Sequence, residues 1–210
     1  MGNRTLAVIV SYAVVSAFLS TLEAFAGIAG GPHDFSQQGW SGGSVCVVCH
    51  TPHGADTSVA NAPLWNHRLS SQTYTLYASA TLTATDVGQP TGSSKLCLSC
   101  HDGSVALDSF GGTDGSTFMQ GSKVVGAGAD LSDDHPISFV YDSALASQDG
   151  ELHDPSNHSS GLGGTIEQDL LENRRLECGS CHDVHDGDAA NHLLRVSLAG
   201  SMLCLTCHDK

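Results

Sequence analysis

Basic residues and aromatics are both scarce in this chain. Eight Lys and Arg stand against 22 Asp and Glu, a formal charge of -14, and only 6% of the 210 residues are aromatic. A phosphate-binding surface needs clustered Lys and Arg, so the balance argues against nucleic acid as a partner and against adhesion to anionic lipid. Few aromatics beside 24 Gly leave little material for a conventional side-chain core. Beyond residue 26 no apolar run is long enough to span a bilayer, so membrane insertion is not expected. What the chain has in excess is eight Cys and 12 His, the residue types that hold metals and cofactors.

The first 26 residues read as a secretory signal peptide. Arg4 supplies a positive start, Leu6 to Leu22 form an apolar stretch interrupted by Ser11, Ser16 and Ser20, and Ala24-Phe25-Ala26 fits a small-x-small cleavage site. A membrane anchor is the competing reading, but the stretch is short and Ser-interrupted, with a cleavage site directly behind it. The expected organisation is therefore a leader over residues 1–26 and a single acidic, exported domain over 27–210.

Export places the cysteines in an oxidising compartment, where an even count suggests disulfides. Their spacing points elsewhere. They fall as Cys46-x-x-Cys49-His50, Cys97-x-x-Cys100-His101, Cys178-x-x-Cys181-His182 and Cys204-x-x-Cys207-His208, which uses every Cys in the chain. C-x-x-C-H is the attachment signature of c-type haem. Two thiols one turn apart can bond the two vinyl groups on one porphyrin edge, and the adjacent His then lies beneath the iron. A zinc knuckle or a redox dithiol also uses C-x-x-C, but neither requires a following His. With His at roughly 6% of positions, four in four by chance has a likelihood on the order of 10⁻⁵. Four covalently bound c-type haems are expected, with His50, His101, His182 and His208 as proximal ligands.

The opposite face of each iron decides the chemistry, because an open position permits catalysis and a second protein ligand favours electron transfer. Eight His remain, enough for bis-histidine ligation of all four haems, whereas Met119 is the one methionine free to compete. His53 and His185 each follow a proximal His by three residues, about one turn on. Neither can bind the iron of its own neighbour, so each is expected to serve a different haem and hold two haems close together. His135, fixed by the stiff junction to Pro136, suits a distal ligand. His33 alone reads as a surface His near the mature N-terminus, and His67 is either a ligand or a His packed on Trp65. His153, His158 and His192 read as solvated.

The expected fold is mostly irregular coil with short helices and few short strands, a multihaem cytochrome c fold around a haem core. Tyr74 to Leu82 and Ile137 to Tyr141 alternate like strands. A helix is predicted from Thr165, where Gln168 completes a capping box, through Leu170 and Leu171 toward Cys178. Residues 111–128 and 149–164 read as loop. The attachment motifs are expected on short helical turns, with Ser94 and Ser201 as caps. The intervals between motifs, residues 51–96, 102–177 and 183–203, are uneven, so this is not a tandem array.

The runs Gly31-Pro32-His33-Asp34-Phe35, Cys46 to Gly54, Ala62-Pro63-Leu64-Trp65-Asn66, Asp134-His135-Pro136-Ile137-Ser138-Phe139 and Cys181-His182-Asp183-Val184-His185 resemble the tetrahaem extracellular cytochromes of the OmcE type. Val184 departs from the Pro more often found there. The resemblance implies bis-histidine haems throughout, with His33, His53, His135 and His185 as the distal ligands. It also implies copies that polymerise head to tail, one subunit's histidine completing a haem of the next. Its implied partners are outer-membrane or periplasmic cytochromes upstream and extracellular electron acceptors downstream.

Three functions compete: a conducting filament, a monomeric periplasmic electron shuttle, and a multihaem reductase, which the surplus of His argues against. Because His33 lies near the mature start and His208 near the chain end, His33 is expected to reach across the subunit boundary.

Overall fold

The computed structural model describes residues 27–186 and 192–210. The expected leader lies outside the described residues. The chain is mostly coil and turn, carrying helices α1 (Gly92–His101), α2 (Ser143–Asp149), α3 (Ile166–Asp169), α4 (Cys178–Cys181) and α5 (Met202–Cys207). Strands β1 (Thr75–Leu76) and β2 (Asp130–Leu131) pair in parallel, and β3 (Phe139–Val140) and β4 (Arg175–Leu176) pair antiparallel.

The strands are shorter than their alternation predicts. In β3, Ser138 sits at φ 60°, a left-handed conformation that ends the extended run on its N-terminal side. The helix expected from Thr165 starts as read, with Thr165 Oγ1 accepting from Gln168 N and Gln168 Oε1 accepting from Thr165 N. It then stops at Asp169 instead of running on. Asn173 and Arg174, both at positive φ, form a tight reversal in which Glu172 and Arg175 exchange backbone hydrogen bonds of 3.0 Å. That reversal lays β4 against β3 and delivers Leu170 and Leu176 to a cluster with Phe139, Tyr141, Ala146 and Ile166.

Two smaller clusters, Val59 with Trp65 and Leu96, and Tyr74 with Leu98 and Leu131, stand apart from the first. Buried apolar side chains are thus dispersed among separate nuclei, as the thin aromatic content implies. Helix α1 reaches two of these nuclei through Leu96 and Leu98, and it carries the second attachment motif.

Helix α1 caps α4, and Glu172, in the turn before β4, caps α1. At the start of α4, Cys178 N donates to Ser94 Oγ at 2.8 Å and Gly179 N to Ser93 Oγ at 3.0 Å, while Ser93 N donates to Glu172 Oε2 at 3.0 Å. These are orphan amides that a helix start must satisfy. Ser94, expected to cap its own helix, is spent on its neighbour. Ser201 does occupy the N-cap position of α5, but at φ 63° and with no side-chain cap bond. The approach of α1 to α4 leaves no room at Gly179, where a Cβ would stand 2.6 Å from Glu172 Oε1 and 2.8 Å from Ser93 Oγ.

Candidate functional site

All four attachment motifs fold as one helical turn. His50 N donates to Cys46 O at 2.8 Å, His182 N to Cys178 O at 3.0 Å, and His208 N to Cys204 O at 2.9 Å; the second motif lies within α1. This i to i−4 bond sets the two thiols and the imidazole on one side of the turn. None of the eight cysteines is disulfide-bonded. Burial pushes the Cys49 thiol up to about 11 and those of Cys100 and Cys207 up to about 12. A zinc knuckle needs thiolates gathered in one cage. Among the described residues no three His, Cys, Asp or Glu side chains converge as such a cage.

The free thiols stand where thioether sulfurs would be, and they meet in chain order. After burial, the largest influence raising the Cys100 thiol is Cys49. Cys97 and Cys178 act on each other, the first thiol being raised and the second lowered. Cys207 is likewise raised by Cys181, after burial. Motif one therefore adjoins two, two adjoins three, and three adjoins four.

Three proximal imidazoles are anchored by their Nδ1 atoms. His50 Nδ1 lies 2.6 Å from Pro63 O, His101 Nδ1 2.8 Å from Lys123 O, and His182 Nδ1 2.9 Å from His192 O. Donation from Nδ1–H to a carbonyl leaves the Nε2 lone pair for a metal, the arrangement metal-ligating histidines ordinarily have.

The remaining histidines separate sharply. His185 faces His50 with ring centroids 6.1 Å apart, His33 faces His101 at 5.9 Å, and His135 faces His208 at 6.4 Å. Two metal–imidazole bonds of about 2 Å on opposite sides of one ion put ring centres roughly 6 Å apart, so each pair fits an iron held between its rings. His33 gives a further test of fit. Its Nδ1 is buried without a hydrogen-bond partner, and burial, then the nearby His101 and His185, pushes the ring down to about 4. A neutral imidazole is the form that ligates a metal.

Within the single chain, His33 lies folded back on the protein's own body, where the expectation has it extending toward a neighbouring subunit. Gly27 N donates to His185 O, and turns closed by Gly31 N to Ile28 O and Asp34 N to Gly31 O fold this segment back, so that His33 faces His101 of its own chain. His53 is exposed, and among the described residues no imidazole faces it or His182 at a comparable distance.

His67 is buried with its nitrogens 2.8 Å from Arg68 O and 3.0 Å from Ala106 O. Both ring nitrogens face carbonyls, so it belongs to the packing and not to a ligand set. His153 and His158, expected to be solvated, are half-buried and stacked 3.7 Å apart. Sequence reasoning missed the carbonyls of Pro63, Lys123 and His192, which no residue-type signal marks, and it missed Glu177, whose position before Cys178 carries only a weak capping signal.

Residues 172–210 match the family described as the doubled CXXCH motif. The match takes in the third and fourth motifs and supports a multihaem c-type cytochrome, with covalently bound c-type haem and electron transfer. Proteins of that class are typically exported, and no helix among the described residues is long and apolar enough to cross a membrane. No curated protein matches the chain.

Proposed function

We propose that the protein is a tetrahaem, bis-histidine electron carrier that assembles head to tail into an extracellular conducting filament. The observation that carries the electron-transfer reading is the set of three imidazole pairs, each joining an attachment-motif His to His33, His135 or His185 at 5.9–6.4 Å. A c-type haem held in such a pair supplies a one-electron ferric/ferrous couple. The motif cysteines would anchor it through thioethers, the Nδ1–carbonyl bonds would fix the imidazoles that hold it, and in the three pairs the facing histidine would leave the iron no place for another ligand. The contacts between successive motifs supply a path for electrons from motif one to motif four.

The filament reading rests on the resemblance to the OmcE type together with what the pairing leaves over. His182 and His53 are an attachment His without a facing ring and an exposed donor without a haem of its own. His53, in place of His33, is then the ligand offered to the next copy, where it completes the haem on His182. The filament would take electrons from cell-surface or periplasmic cytochromes and deliver them to extracellular acceptors. One observation favours the monomeric periplasmic shuttle instead: His33 closes its pair within the chain.

Negative-stain microscopy and electronic spectra of the mature wild type and of His53→Ala test both levels. Wild type is expected as filaments with all haems low-spin and a denatured mass four haems above the polypeptide. His53→Ala is expected to keep four haems, lose filaments and gain one high-spin haem. Single wild-type subunits with an all-low-spin spectrum would establish the shuttle.

A further inference from the structure

Glu177 immediately precedes the third attachment motif, and in the folded chain it is 1% exposed. Its carboxylate accepts from Thr91 Oγ1 and Ser138 Oγ, both at 2.6 Å, while its own backbone amide donates to Ser180 Oγ at 2.9 Å in the first turn of α4. Thr91 is the N-cap residue of α1 and Ser138 borders β3, so this one group ties the second and third motifs to the β3–β4 pair. The next residue is Cys178, whose backbone amide donates to Ser94 Oγ of α1 at 2.8 Å. The carboxylate therefore lies at the joint between the two helices that carry motifs two and three.

Other charges around it do not cancel it. Arg175 Nε stands 3.8 Å from Glu177 Oε1, but the same guanidinium is partly exposed and shared with Asp86 at 3.4 Å. Glu172, beside the same joint, adds a second carboxylate. Among the described residues the buried acids are Glu177 and Asp102, and Asp102 directly follows His101 at the other end of α1. Both buried acids thus flank motifs two and three, and none flanks motif one or four.

We propose that Glu177 is the electrostatic set-point of the haem pair anchored on α1 and α4, holding their reduction potentials below those of the haems on motifs one and four. The proposal rests on the tetrahaem reading. Each haem takes up one electron with no bond made or broken. A ferric centre with two neutral imidazoles and a dianionic porphyrin bears one net positive charge, and the ferrous centre bears none. A fixed negative charge in a poorly solvated interior stabilises the first against the second. Glu177 acts through the haems' surroundings and is a positioning residue.

The test is a spectroelectrochemical titration of the holo-protein, with the electrode as electron source, on wild type, Glu177→Gln and Arg175→Gln. Glu177→Gln keeps the shape and removes the charge. Two of the four redox components are expected to move to higher potential while the other two stay in place. Arg175→Gln removes the adjacent cation and is expected to move the same two components down, by less. Unmoved components, or an equal shift of all four, would overturn the proposal. Denatured mass is read first: fewer than four haems in wild type would instead overturn the tetrahaem reading. If Glu177→Gln fails to accumulate with haem, the direction of the Arg175→Gln shift decides alone.

Discussion

The attachment turns of motifs three and four share a backbone and differ in nearly everything around it. Each closes with its His amide on the first Cys carbonyl, at 3.0 Å for His182 and 2.9 Å for His208. Around Cys178 the amides at the helix start are satisfied by hydroxyls from α1, and the N-cap residue is a buried acid with partners on two other elements. Around Cys204 the N-cap residue is in a left-handed conformation without a side-chain bond, and Met202, Cys204 and Leu205 are exposed. The turn is therefore a local property of the motif, whereas its rigidity is built by residues distant in sequence. Polypeptide covers the turn at Cys178, whereas the turn at Cys204 leaves Met202 and Leu205 exposed.

Removing the acid at the centre is the strongest way to break this contrast. Glu177→Ala strands the hydroxyls of Thr91 and Ser138 in a buried site, and unsatisfied buried donors cost roughly 1–3 kcal/mol each. A loss of at least about 2 kcal/mol is expected in guanidinium unfolding of the holo-protein. A change no larger than that of a surface substitution would mean the junction is no more rigid than the end.

Gly179→Ala probes the same junction by volume. The added methyl meets Ser93 Oγ, which accepts from Gly179 N, and Glu172 Oε1, on a carboxylate whose other oxygen accepts from Ser93 N, so neither side chain can retreat freely. Overpacking of this kind costs about 1–3 kcal/mol. Differential scanning calorimetry should show it as a lowered Tm with haem content unchanged, and an unchanged Tm would show that α1 and α4 have slack between them.

The difference between the two regions also marks what the sequence could reveal. Cysteine spacing is local, so all four attachment turns were legible, as was the Thr165–Gln168 capping box. The thin core was legible from composition. Partnerships across the chain were not. His33 read as a projecting arm because nothing in its neighbours encodes the turns that bring it to His101. The long helix after Thr165 failed because apolar periodicity at Leu170 and Leu171 cannot report a reversal at Asn173 and Arg174, which lays down β4 instead. Ser94 read as a cap for α1 because a sequence shows which hydroxyls can cap and not which helix receives them.

Motifs two and four both continue His-Asp, and this pair sharpens the comparison by pH. Asp102 is buried and accepts from Tyr74 Oη at 2.7 Å and Ser104 N at 2.7 Å, whereas Asp209 is exposed. Burial pushes the Asp102 carboxyl upward, but hydrogen bonds from Ser70, Tyr74 and Ser104 outweigh it and hold it below the usual carboxylate range. A depressed carboxyl contributes stability above the unfolded-state value, about 4, and loses it as pH falls below that. Asp102→Asn is therefore expected to cost about 1 kcal/mol at pH 7 and progressively less in acid. Denaturant midpoints measured from pH 7 to pH 3 check this; a cost independent of pH would mean the carboxylate charge is not what these donors stabilise.

The smallest effect is expected at the open end. Leu198, Met202 and Leu205 are 48%, 49% and 42% exposed. Met202 and Leu205 lie three residues apart within α5, so these two side chains share one side of the last attachment turn. A leucine that stays in water in the folded state gains little from folding, and substitutions away from buried features fall within about 0.5 kcal/mol. Leu205→Ala in the isolated holo-subunit should therefore leave the denaturation midpoint almost where it was, in contrast to Gly179→Ala, a smaller change of volume at the equivalent position of motif three. A loss of 2 kcal/mol or more, the range for truncating a buried leucine, would mean that the porphyrin anchored at Cys204 and Cys207 rests on this face. The end would then be built like the centre, with cofactor replacing polypeptide as the covering layer.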